Sequence, residues 1–123
     1  MARYKTPHEL LDDAYGAISA AERVQEGDAD PAHEDFYKFG SDLTAIPLAL
    51  AEFTEVMLRQ VNTYGQRYEL RDDGGLDPQV RIIEAAEYLR AIIKPLAAAS
   101  AAAAKYHSAI GHIGVTGKRG DQR

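Results

Sequence analysis

Two pairs of carboxylates, Glu52-x-x-Glu55 and Glu84-x-x-Glu87, are the first residues in this 123-residue chain whose spacing could do chemistry. Side chains three apart on a helix are neighbours. Two such pairs on adjacent helices could gather the hard oxygen ligands that magnesium prefers. Their phase argues against it. At about 100° per residue, Glu52 and Glu55 point away from Leu50, Phe53 and Met57, and Glu84 and Glu87 point away from Ile82, Ala86 and Leu89. In a chain that is 27% charged, acids at this spacing read first as solvated helix faces. No catalytic residue, metal ligand or cofactor is assigned.

The other candidate groups are equally bare of chemistry. His8, His33, His107 and His112 never fall four apart, and no Glu-x-x-His of the di-iron bundle type occurs. His107 falls on an apolar seam, opposite Leu43, where a hydrogen-bonded core histidine is expected. Gly111, Gly114 and Gly117-Lys118 do not make a phosphate loop, because His112 stands at the first required glycine and neither a strand nor a helix is expected to follow. Arg119-Gly120-Asp121 reads as a chance tripeptide. With no cysteine in the chain, disulfides, thiolate zinc sites and cysteine nucleophiles are all excluded.

The acid pairs are similar to the pattern of the all-α nucleoside triphosphate pyrophosphohydrolases, Glu-x-x-Glu followed by Glu-x-x-Asp on the next helix. Glu87 stands where that pattern has its aspartate. The resemblance implies an alternative reading, a divergent magnesium-dependent pyrophosphohydrolase with Glu52, Glu55, Glu84 and Glu87 as metal ligands. In shape alone the chain also looks like the small helical-hairpin substrates of the mycobacterial-type secretion system, which implies leaderless export as a second alternative. Those proteins carry Trp-x-Gly and Tyr-x-x-x-Asp/Glu. This chain has no tryptophan, its Tyr64-Gly65 falls within a helix, and neither Tyr88 nor Tyr106 has an acid four residues on.

Three helices must position whatever this chain does. The first opens on the capping box Thr6-Pro7-His8-Glu9, shows one face of Leu10, Leu11, Ala14, Ile18, Ala21 and Val24, and stops at Gly27. The second is expected to open at Asp30-Pro31 and run to Arg71 as one helix kinked at Gly40 and Pro47. Its apolar stripe reads Phe36, Phe39, Leu43, Ile46, Leu50, Phe53, Met57, Val61, Tyr64, Tyr68, and the phase is not reset at either weak point. A turn at 72–76 follows. Asp77-Pro78 then starts a third helix, kinked at Pro95, with the seam Ile82, Ala86, Leu89, Ile93, Leu96, Ser100, Ala103, His107, Ile110.

Short connections make neighbouring helices antiparallel. The pattern therefore predicts an all-α, antiparallel three-helix bundle: a hairpin of two long helices plus a shorter N-terminal one. The domain is expected to span 1–113, with a flexible polar tail over 114–123. In the expected register Leu50 faces Ala99 and Phe36 faces Ile113, so large residues meet the alanines from Ala97 to Ala104. The short first helix can cover only part of the second. This leaves Leu58, Val61, Tyr64, Tyr68, Ile82, Ile83, Leu89, Ile92 and Ile93 near the hairpin tip as an expected interface. The doublets Ile82-Ile83 and Ile92-Ile93 cannot both face one partner, and an exposed aliphatic strip of this size marks an association surface.

The functional expectation is a non-catalytic interaction or assembly protein, self-associating or bound to another helical protein. A formal net charge of −5 repels phosphate backbones, and Lys118, Arg119 and Arg123 are too few for a nucleic-acid footprint. No apolar run approaches a membrane span. The start Met-Ala-Arg-Tyr-Lys-Thr-Pro has no signal-peptide core, so a cytoplasmic location is expected.

Overall fold

Every regular element of the computed structural model, which describes residues 4–121, is helical. In chain order these are α1 (Pro7–Glu26), α2 (His33–Asn62), the single turn α3 (Tyr64–Arg67), α4 (Pro78–Gly111) and a 3-10 turn, Arg119–Asp121. The chain divides into two compact units, Met1–His33 and Glu34–Arg123. Expectations that touch Met1–Arg3, Gln122 or Arg123 lie outside the described residues.

The first unit is α1. Thr6 Oγ1 accepts the Glu9 N–H at 3.1 Å, and Glu9 Oε1 accepts the Thr6 N–H at 3.2 Å. The capping box is thus closed in both directions, satisfying two donors a helix start leaves unpaired. At the other end the Gly27 N–H donates to the Arg23 carbonyl. No residue of α1 is buried.

The second unit is the hairpin of the two long helices α2 and α4. α2 begins at His33, two residues later than the Pro31 start that an Asp30 cap would give. Asp28 Oδ1 accepts the Asp30 N–H at 3.0 Å, so the aspartates close a local turn instead of opening the helix. α2 is continuous through Gly40 and Pro47, although Pro47 offers no N–H to the Leu43 carbonyl. It ends at Asn62 rather than Arg71. There the Thr63 hydroxyl donates back to the carbonyls of Arg59 and Gln60, and only one further turn, α3, forms. α4 starts as the sequence predicts, with Asp77 Oδ1 accepting the Gln79 N–H at 3.0 Å.

The seam of α4 is the predicted one. Ile82, Ala86, Leu89, Ile93, Leu96, Ser100, Ala103, His107 and Ile110 are all buried or half-buried, and the residues between them are exposed. The seam of α2 is not. Its inward residues are Gly40, Thr44, Pro47, Ala51, Thr54, Leu58 and Val61, again at steps of four and three. Of the apolar stripe read from the sequence only Val61 belongs to this row, with Phe39 and Phe53 half-buried beside it. Phe36, Leu43, Ile46, Leu50, Met57, Tyr64 and Tyr68 are exposed.

Close approach explains the choice. A Cβ placed on Gly40 would lie 2.8 Å from His107 Cβ and 3.0 Å from His107 Cα. Interaxial distance follows the size of the side chains at the contact, and leucines or phenylalanines here would push the helices apart. The hydroxyls on this seam are satisfied: those of Thr44 and Thr54 donate to the Gly40 and Leu50 carbonyls, and Ser100 Oγ donates across to the Thr44 carbonyl at 2.7 Å. The register moves accordingly. His107 meets Gly40 instead of Leu43, and Gly65 stands beside Ile82.

Candidate interaction face

Between Phe39 and Met57, each residue of the outer apolar stripe directly precedes a seam residue of α2, and Phe36 precedes Tyr37, whose ring packs on His107 of the α4 seam. Phe36, Phe39, Leu43, Ile46, Leu50, Phe53 and Met57 come before Tyr37, Gly40, Thr44, Pro47, Ala51, Thr54 and Leu58. This second stripe is therefore rotated about 100° from the first. The corresponding positions of α4 are Ala85, Tyr88, Ile92, Pro95, Ala99, Ala102 and Tyr106. In an antiparallel pair, positions preceding the seam on both helices flank it on the same side. The Tyr106 hydroxyl shows this directly, donating to the Phe36 carbonyl at 2.9 Å.

The hairpin consequently has two unlike sides. On this one, the positions preceding the seam, from Phe36 to Gln60 on α2 and from Ala85 to Ala109 on α4, hold no charged residue, and Arg81, which precedes Ile82 at the tip, is the exception. The other carries Glu52, Glu55, Arg59, Glu87, Arg90 and Lys94. The charge-free side stays open to solvent: Leu43 is 53% and Ile46 46% exposed. Toward the tip it ends in a hollow of about 400 Å³ lined by Met57, Gln60, Val61, Tyr64, Arg67 and Tyr68, where the Tyr64 and Tyr68 ring centroids are 5.4 Å apart.

The nine residues expected to form an interface divide between the two surfaces. Ile82 is buried, and Leu58, Val61, Leu89 and Ile93 are half-buried on the α2–α4 seam. Tyr64, Tyr68, Ile83 and Ile92 are exposed. Each isoleucine doublet thus splits, one member in and one out. Ile92 lies on the charge-free side and Ile83, which follows a seam residue, on the other. Sequence reasoning placed Leu43, Ile46 and Leu50 inside the hairpin and so missed them as surface.

The four glutamates are not brought together. Glu52, Glu55, Glu84 and Glu87 are exposed, Glu84 lies 3.5 Å from Arg81 Nη1, and no group of three or more histidines or acids among the described residues could hold a metal ion. His107 also departs from expectation. Its Nε2 is buried without a hydrogen-bond partner, and its ring packs on Tyr37 with centroids 4.3 Å apart.

The hairpin loop is held by a group the sequence reading passed over. The Asp72 carboxylate accepts the N–H groups of Gly74 and Leu76, each at 2.9 Å, and the Arg81 Nε–H at 2.8 Å. The Leu76 N–H and then the Arg81 guanidinium hold its pKa below the usual carboxylate value, and Asp72 in turn raises that of Arg81. Gly75, at φ +82°, takes the left-handed conformation this loop requires.

No family model matches the chain, and neither the curated proteins nor the solved structures contain a significant match to it.

Proposed function

We propose that this chain is a non-catalytic helical assembly protein that associates with a helical surface, in the first place its own, with the tip of the hairpin as part of the contact. The observation that carries the reading is the charge-free, solvent-exposed side of the hairpin. Apolar strips of this extent are rare on free surfaces and mark association sites. Exposed tyrosines at the tip, Tyr64 and Tyr68, add side chains whose rings pack while their hydroxyls stay hydrated. A net charge of −5 argues against a nucleic-acid partner. No helix among the described residues is long and apolar enough to cross a membrane, and the lack of cysteine is compatible with a cytoplasmic setting.

Light scattering after size exclusion tests this directly. A mass about twice the 13.5 kDa of one chain is expected at micromolar concentration. Pyrophosphate release from nucleoside triphosphates and magnesium, abolished by Glu84→Gln, would overturn the non-catalytic reading.

A further inference from the structure

We infer that the charge-free side of the α2–α4 hairpin mates with the same side of a second copy, producing a four-helix bundle in which each α2 lies on the partner's α4. This rests on the association reading above and specifies its partner, surface and arrangement.

The angle between the two stripes of α2 is the first argument. A helix in a four-helix bundle has two neighbours seen from its axis at about a right angle, whereas in a three-helix bundle they subtend about 60°. Stripes about 100° apart suit the first arrangement. Width gives the same answer. At about 100° per residue, the exposed residues Ile46 on α2 and Tyr88, Pro95 and Ala102 on α4 fall on the outer rows of the strip, farther from the groove between the helices than Leu43 and Leu50 or Ile92 and Ala99. One helix laid in the groove would not cover the rows on both helices. Two helices side by side would cover both.

Area and shape complete the case. The strip's eight exposed large side chains range from 36% exposed at Phe36 to 66% at Tyr88, roughly 700 Å² of surface per copy against the roughly 800 Å² each partner contributes to a standard-size interface. The contacts of Gly40 with His107 and Gly65 with Ile82 place Leu43 to Leu50 level with Ala104 to Ala97. Within one copy this makes a ridge of large residues beside a trough of alanines. A two-fold axis parallel to the helices turns each ridge onto the partner's trough, brings the two tips to the same end, and leaves every helix antiparallel to both its neighbours. Such a contact is isologous and closed, so assembly stops at two.

The full chain tests this with one substitution on each side. Ile46→Glu places a carboxylate in the contact twice per dimer and should weaken dimerisation by about 100-fold or more, with far-UV helicity retained. Leu48→Glu, on the charged side, should leave the dimer unchanged. Because the chain has no cysteine, Ile46→Cys chains mixed with Ala99→Cys chains should give the mixed disulfide on oxidation in preference to either homodimer. A wild-type dimer that survives Ile46→Glu overturns the surface assigned here but leaves self-association standing. A dominant Ile46→Cys homodimer overturns the α2-on-α4 arrangement alone. A wild-type monomer at every concentration overturns both readings and leaves the strip to the chain's own α1 or to a helix of another protein.

Discussion

Asp72 shows how much of the hairpin loop depends on one ionised group. Two backbone N–H donors and one guanidinium converge on its carboxylate, and each favours the charged form. Its folded pKa therefore lies below the unfolded value. The sign follows from linkage: the stabilising contribution is complete above the unfolded aspartate pKa of about 3.9 and is lost as pH falls through the lower folded value. Asp72→Asn should destabilise the chain at pH 7, and the gap between variant and wild type should shrink as denaturation is repeated below about pH 4. A gap independent of pH would assign the effect to shape rather than charge. The local sequence marked the turn at 72–76 but not the pairing of Asp72 with Arg81. Arg81 is nine positions away, and only the return of the chain into α4 brings the two together.

Helix limits were legible where the cap is local, as at Thr6 and Asp77. They were misread where a side chain made a competing bond, Asp28 ahead of α2 and Thr63 behind it. Side-chain acceptors that favour caps favour turns equally well, so type alone does not separate the two uses. Packing between elements turns on the small residues. Gly40→Ala should gain up to about 1 kcal/mol of helix propensity but lose about 1–3 kcal/mol to overpacking, because the atoms it meets are the Cβ, Cδ2 and Cα of His107, of which two belong to or adjoin the backbone. A net loss of about 1 kcal/mol in urea denaturation is expected. A net gain would mean that α2 and α4 can separate at no cost.

At the scale of the whole molecule, very little apolar surface is hidden within one chain. Among the described residues the buried apolar ones are Ala51, Ile82, Ala86 and Ala103, and no large side chain is fully buried. Under the assembly reading, stability must then depend on mass action. The thermal midpoint should climb by several degrees over a hundredfold rise in protein concentration, and Ile46→Glu should abolish that dependence. A wild-type midpoint fixed at all concentrations would show that one chain supplies its own stability. The exposed members of the candidate surface, Ile92, Tyr64 and Tyr68 among them, were legible as apolar residues in excess of one seam. Leu43, Ile46 and Leu50 were not, since they were assigned to the interior.

The amino-acid order alone determined the helical class, the starts of α1 and α4 and the whole inward face of α4, because caps act within a few residues and periodicity is written along the chain. It also determined that α2 carries more apolar surface than one seam can use. Only the tertiary structure decided which stripe of α2 turns inward. Two stripes one residue apart satisfy the helical repeat equally well, and the choice between them depends on how closely two backbones can approach. Gly40, Ala51 and Thr54 permit that approach and Leu43, Leu50 and Phe53 do not, a property of the helix pair that no hydrophobic pattern in either helix records.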